Sequence, residues 1–189
     1  MQNNIRLAGF SGSLRKGSFN TMLLNSLQEL LPADVSLEII SITEIPLYNG
    51  DLDTPDAAER PQTVVAFRNS IEKADGLIIV SPEYNYSIPG VLKNTIDWAS
   101  RGKDSPLLGK TVALMGASTG MWGTVRMHLA FQPVFLTLGM KQVKPEIMVS
   151  KAKDKFDGSG KLIDEFTKDL IKKQLSALKE VLLKQKDNK

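Results

Sequence analysis

Gly12-Ser13-Leu14-Arg15-Lys16-Gly17-Ser18-Phe19-Asn20 follows an apolar segment at residues 5–10 and leads into a helical pattern that begins near Asn20 or Thr21. A strand, then a loop of glycine, hydroxyl and cation, then a helix start is an arrangement that grips a phosphate. Loop and helix N–H groups point at the anion, the helix dipole favours its charge, and Arg15 can fork onto its oxygens. Gly12 and Gly17 have the G-x-x-x-x-G spacing of a nucleoside-triphosphate loop, but Ser18-Phe19 stands where that motif needs Lys and then Ser or Thr. The G-x-G-x-x-G dinucleotide fingerprint is absent here as well. Ser13, Ser18, Asn20 and Thr21 remain as neutral donors, with Arg15 as the main charge. That set suits a terminal monophosphate held by many hydrogen bonds without a metal. The plainer reading, a turn followed by a helix cap, needs one such residue and neither the arginine nor both glycines.

Working outward, strand and helix signals alternate without repeats or low-complexity segments. Residues 5–10 read as a first strand and 21–31 as a helix with Met22, Leu23, Leu27 and Leu30 on one side. Residues 35–40 alternate as a second strand. Residues 44–62, with Pro46, Gly50, Pro55 and Pro61, read as a long loop followed by a helix to Lys73. Gly76-Leu77-Ile78-Ile79-Val80 is an unbroken apolar run, the mark of a strand buried on both faces of a parallel sheet. A helix over 91–98, a strand over 111–117, a helix over 124–138 carrying Pro133 and a fifth strand over 141–149 follow. An amphipathic helix over 163–183 closes the series. The expectation is a single α/β domain over 1–189: a doubly wound five-stranded parallel sheet with helices on both faces. Ligands of such sheets sit beyond the carboxyl ends of the strands, at the switch point.

Two further strand ends then matter. Pro82-Glu83-Tyr84-Asn85-Tyr86-Ser87-Ile88-Pro89-Gly90 follows the third strand; its prolines stiffen the loop, and its tyrosines offer flat apolar surface with a polar tip. Ser118-Thr119-Gly120-Met121-Trp122-Gly123 follows the fourth, where glycine allows close approach of backbone to a ligand. One loop suits a phosphate and two suit a planar hydrogen-bonding ring, which are the two ends of flavin mononucleotide (FMN). Taken singly, the second loop reads equally well as a rigid surface turn and the third as a mobile glycine loop.

Composition narrows the alternatives. No apolar run approaches the ~20 residues of a membrane span, and no basic region followed by an apolar core begins the sequence, so the expectation is a cytoplasmic protein with no membrane partner. The absence of cysteine excludes disulfides, thiolate metal sites and cysteine-ligated iron–sulfur clusters, and no metal site is expected. The net charge is +3; residues 151–189 hold 11 lysines against 7 acidic residues, interleaved along the basic C-terminal helix at about 160–185. A solvated helix face explains that pattern, and without interleaved aromatics it gives no reason to expect nucleic acid.

The phosphate loop, and Pro82 to Gly90 followed by Leu92-Lys93-Asn94 and Asp97-Trp98, resemble the signatures of the NAD(P)H-dependent FMN reductases of flavodoxin-like fold, which include bacterial quinone, chromate and azo-dye reductases. The similarity extends from residue 5 to about 150. It implies that Ser13, Arg15, Ser18, Phe19 and Asn20 hold the FMN phosphate and ribityl chain. Pro82, Glu83, Tyr84 and Asn85 would contact the isoalloxazine edge, largely through backbone, and Ser118, Thr119 and Gly120 would face the flavin from the third loop. Relatives often carry Gly-Gly where this chain has Gly123-Thr124, which leaves the shape of the substrate entrance open. Lys144-Pro145-Glu146 resembles a family element near a subunit interface, and the resemblance implies a homodimer or homotetramer.

The implied reaction passes a hydride from NADPH or NADH to bound FMN and two electrons onward to a small-molecule acceptor: a quinone, azo dye, chromate or free flavin. The cofactor carries the chemistry, so no catalytic side chain is expected. His128, the one histidine, falls within a helical pattern and reads as structural. The competing readings are a flavodoxin-type electron carrier and a redox-sensing flavoprotein.

Overall fold

The computed structural model of the chain describes residues 4–53 and 60–187; Pro55 of the long loop lies outside them. The elements are β1 (Ile5–Ser11), α1 (Phe19–Ser26), β2 (Val35–Ile39), α2 (Gln62–Lys73), β3 (Gly76–Val80), α3 (Gly90–Ser100), β4 (Thr111–Ala117), α4 (Val125–Thr137), β5 (Lys141–Gln142), β6 (Ile147–Val149) and α5 (Glu165–Asp187). The strands form one parallel sheet in the order β2-β1-β3-β4-β5, with β6 also pairing β4.

The two faces of the central strands explain the layers. On one face Leu7, Ile78, Val80, Ala113 and Met115 pack against Leu23 and Leu24 of α1 and Ile171, Leu175 and Leu178 of α5. On the other, Ala8, Phe10, Leu77, Ile79, Val112 and Leu114 meet Phe67 and Ile71 of α2, Leu92 and Ile96 of α3, and Met127 and Phe131 of α4. Every residue of β3 and β4 is buried, as the unbroken apolar run at 76–80 requires. Registers Gly9↔Ile78 and Ile78↔Ala113 bring the carboxyl ends of β1, β3 and β4 to one rim.

Two expectations need correction. The helix expected over 21–31 is α-helical only to Ser26 and tightens into a 3-10 turn at Leu27–Glu29, ahead of Pro32, which disfavours helix at the residue before it. The strand expected over 141–149 is two short pieces. Val143 N–H still donates to Val112 O at 2.9 Å, but Pro145 has no N–H for the next rung. Gln174, fully buried on α5, supplies the missing donor: its amide nitrogen reaches Leu114 O at 3.3 Å and Pro145 O at 2.6 Å. The closing helix begins at Glu165, with the Asp164 carboxylate accepting from Thr167 N–H at 2.9 Å. Among the described residues no helix is long and apolar enough to cross a membrane.

Candidate functional site

The loop after β1 is held open by its own hydroxyls. Ser13 N–H donates to Ser11 Oγ at 3.3 Å, Arg15 N–H to Ser13 Oγ at 3.4 Å, and Ser18 Oγ caps α1 by accepting from Asn20 N–H at 3.2 Å. Gly17 takes φ +68°, which turns the chain into the helix. An atom at the Cβ position of Gly12 would lie 2.7 Å from Leu92 Cδ2 and 3.0 Å from Ser81 Oγ, so a larger residue there would have to displace the Leu92 side chain for the loop to rest on α3. The N–H groups of Leu14, Lys16, Gly17 and Phe19 have no hydrogen-bond partner among the described residues. Arg15 and Lys16 are exposed, and the Arg15 guanidinium reaches only Lys16 O, at 3.4 Å. Several unpaired donors, two cations and a helix N-terminus thus surround one spot.

Asn20 does something its position in the motif does not reveal. Its side chain is buried; Nδ2 donates to Ala117 O at 2.9 Å and Oδ1 accepts from Ala117 N–H at 2.8 Å. It thereby closes the last rung of β4 and joins the phosphate loop to the third loop. Phe19 likewise turns its ring inward, against Phe156 with centroids 5.5 Å apart, leaving its backbone N–H on the loop.

The loop after β3 makes a two-residue reversal. Tyr84 and Ser87 exchange N–H···O bonds of 3.2 and 3.0 Å, with Asn85 and Tyr86 between them at φ +47° and +66°. Both sit in the left-handed region that residues other than glycine rarely adopt, a form of strain that gathers at ligand sites. The ring of Tyr84 is half exposed and that of Tyr86 largely so. The Glu83 side chain turns to the start of α4. Its Oε2 accepts from Arg126 N–H at 2.8 Å and Met127 N–H at 3.2 Å, capping α4, whose Thr124 offers no side-chain cap. Arg126 lies with its guanidinium 4.1 Å from the Tyr86 ring centroid. Second loop and α4 are therefore one unit.

The loop after β4 carries Ser118, whose Oγ accepts from Gly120 N–H at 3.2 Å, beside exposed Thr119 and Gly120. Thr124 is fully buried beneath this loop against Gly116, so its side chain does not narrow the rim. His128 lies one helical turn further on, buried, with neither ring nitrogen hydrogen-bonded among the described residues. Burial pushes its pKa down to about 4, partly opposed by the Glu146 carboxylate, so the ring is neutral at pH 7. Trp98, by contrast with the exposed Trp122, is core: its indole N–H donates to Pro46 O at 2.8 Å.

Ten of the twelve residues singled out from sequence thus lie in the three loops at one rim, and Phe19 and Asn20 open α1 directly after the first loop. Comparison with known proteins decides what the rim belongs to. The family model for NADPH-dependent FMN reductases matches residues 5–154. The chain belongs to that family. This FMN reductase relative is 46% identical to an NAD(P)H-dependent FMN reductase of Pseudomonas aeruginosa, covering 94% of this chain and 95% of the other. It is 40% identical to a quinone reductase of Escherichia coli over 96% and 97% of the two chains. Among solved structures, a flavoenzyme NAD(P)H:(acceptor) oxidoreductase of Paracoccus denitrificans superposes with a TM-score of 0.82 at 29% identity, covering 93% of this chain and 98% of that one. The protein is an oxidoreductase whose cofactor is FMN, and the donor set at the rim fits that group. Unpaired N–H groups and Arg15 suit its phosphate, and the backbone of the Tyr84–Ser87 reversal suits its ring edge. Sequence reading missed the side-chain roles of Asn20 and Glu83, and it missed a fourth segment, residues 149–152, which lies against the third loop.

Proposed function

We propose that the protein oxidises NADPH or NADH and reduces a quinone, with FMN lying across the three loops. Ser13, Arg15, Ser18, Phe19 and Asn20 form the phosphate and ribityl end, Phe19 through its backbone N–H and Asn20 by joining the loop to Ala117. Pro82, Glu83, Tyr84 and Asn85 line the ring edge, Glu83 by backbone, and Ser118, Thr119 and Gly120 form the opposite wall. The observation that carries this reading is the phosphate loop, where the N–H groups of Leu14, Lys16, Gly17 and Phe19 are unpaired among the described residues and Asn20 locks the loop to the end of β4. Held there, FMN would supply two-electron chemistry, accepting hydride equivalents from the nicotinamide for delivery to the quinone, whose reduction to the hydroquinone uses one hydrogen from the hydride and one proton from solvent.

The chain's own residues bind and orient. Tyr84 and Tyr86 give the aromatic acceptor a flat apolar face, and fixed N–H dipoles stabilise negative charge at the ring edge without reorganising. No side-chain acid or base is assigned, because the buried His128 is out of reach of the rim. A second copy of the chain covers the outer face of α4, where Leu129 and Leu136 are 65% and 83% exposed, together with Trp122 of the preceding loop, 70% exposed. The homo-oligomer acts in the cytoplasm as a single-domain subunit.

The test is the visible spectrum of the protein loaded with FMN, followed anaerobically as NADPH is added and then a quinone. Bleaching in one two-electron step and recovery on adding the quinone support the reading. Bound flavin that NADPH cannot bleach overturns it in favour of an electron carrier or redox sensor.

A further inference from the structure

The first turn of α4 and the reversal after β3 meet through three side chains. The Glu83 carboxylate serves both: Oε2 accepts from the backbone N–H groups of Arg126 and Met127, while Oε1 lies 3.4 Å from the Arg126 guanidinium. Steered in this way, the guanidinium lies over the Tyr86 ring, 4.1 Å from its centroid. Capping of α4 thus uses the Arg126 backbone and leaves the side chain to Tyr86.

Tyr86 needs such a partner. It holds φ +66° beside Asn85 at +47°, a backbone that a bulky residue rarely adopts. Among the described residues its hydroxyl makes no hydrogen bond and its ring meets no other aromatic ring, and the residue is 71% exposed. A tyrosine so exposed samples several rotamers unless something holds it, and ordering it costs entropy. A planar cation over one face fixes the ring and leaves the other face open. The ring belongs to the reversal at the carboxyl end of β3, the segment assigned above to the edge of the flavin ring.

We propose that Arg126 is a positioning residue for the electron acceptor: by covering one face of Tyr86 it keeps the other presented to a flat aromatic oxidant. The site thereby favours planar acceptors over small ones that need no stacking. The proposal rests on the FMN-dependent quinone reduction put forward above.

The experiment compares two oxidants of the same reduced protein, 1,4-naphthoquinone and dioxygen. Each takes two electrons and two protons, giving the hydroquinone and hydrogen peroxide, and neither carries a charge that Arg126 could attract. Protein loaded with FMN and reduced anaerobically with one equivalent of dithionite is mixed with either oxidant in a stopped-flow spectrometer. The chains compared are the unmodified one, Arg126→Met, Arg126→Lys, Tyr86→Leu and the Arg126→Met/Tyr86→Leu double variant. All of them keep the α4 cap, which Glu83 makes with backbone. Arg126→Met should raise the apparent Kd for the quinone about threefold relative to the dioxygen reference. Arg126→Lys keeps the charge without the flat plate and should fall between. In the Tyr86→Leu background, Arg126→Met should have no further effect. A second readout needs no flavin. Arg126→Met should alter the near-ultraviolet circular dichroism of tyrosine in flavin-free protein, and that difference should vanish in the Tyr86→Leu background. An unchanged quinone Kd, equal losses for quinone and dioxygen, or an Arg126 effect that survives without Tyr86 in either readout overturns the assignment while the FMN site stands. Failure of the quinone to reoxidise the unmodified protein would instead overturn the functional reading itself.

Discussion

Asn20 should be worth more to stability than a cofactor ligand has reason to be. In Asn20→Ala the N–H and C=O of Ala117, 2% exposed, lose both partners at once. Each buried orphan costs about 1–3 kcal/mol, so the variant should lose roughly 2–5 kcal/mol before any flavin is added. At about 2–4 °C per kcal/mol for a chain of this length, its Tm should fall by roughly 10 °C. Asn20→Asp separates hydrogen bonding from bulk. Ionised, it can accept from Ala117 N–H but sets a carboxylate oxygen against Ala117 O; protonated, it restores both bonds. Burial and the bond available only to the neutral form raise its folded pKa above the unfolded value. The folded state then binds the proton more tightly, so the deficit relative to the unmodified protein is greatest at neutral pH and shrinks as pH falls through the raised pKa. Urea unfolding of flavin-free protein at several pH values, each compared with the unmodified chain, reads this directly. A loss below about 0.5 kcal/mol for Asn20→Ala, the range of an ordinary surface substitution, would refute the reasoning. So would an Asn20→Asp deficit that grows on acidification.

Glu83→Ala should destabilise by about 2 kcal/mol through loss of the α4 cap, and Glu83→Gln, which keeps one acceptor, by about half that; equal losses would show that the charge contributes nothing. His128 has its folded pKa lowered to about 4, so its contribution is full above the unfolded value of 6.5 and is lost as pH falls toward 4. The shift corresponds to roughly 3 kcal/mol. His128→Leu should flatten the stability–pH curve across that window, and an unchanged slope would remove His128 from the account. Leu136→Asp, at an 83% exposed position, should leave the folded protomer within about 0.5 kcal/mol yet lower the mass seen by sedimentation; an unchanged mass would exclude this face as the subunit contact.

What the sequence disclosed and what it withheld divide along sequence separation. Gly12 to Asn20 and Pro82 to Gly90 are local signals, because loop chemistry between a strand and a helix is written in adjacent residues. The five apolar residues at 76–80 announced a central strand in the same way. The partners of Asn20 and Glu83 lie 97 and 43 residues away, and no local pattern encodes them. Motif position alone therefore gave no sign that the Asn20 side chain joins two loops or that the Glu83 side chain caps α4. The break between β5 and β6 had a visible cause in Pro145, flanked by Lys144 and Glu146, which the apolar residues further out, Val143 and Ile147 to Val149, outweighed in the sequence reading. The donor that repairs the break, Gln174, comes from a helix whose periodic pattern marks it only as buried.

That repair also governs how copies of the protein can meet. Beside β4 the sheet border consists of a two-residue and a three-residue strand, and Pro145 between them can donate nothing to an incoming chain. At the other border β2 is five residues long, and its exposed Glu38 is tethered to Ser70 by a 2.8 Å hydrogen bond. Neither border offers a long, flat ladder for strand addition. The proposed contact between copies therefore falls to helix faces, where it does not extend strand by strand. If dilution or a charge placed on α4 separates the proposed protomers, neither border gives them a template for growing into fibres, and they should remain dispersed.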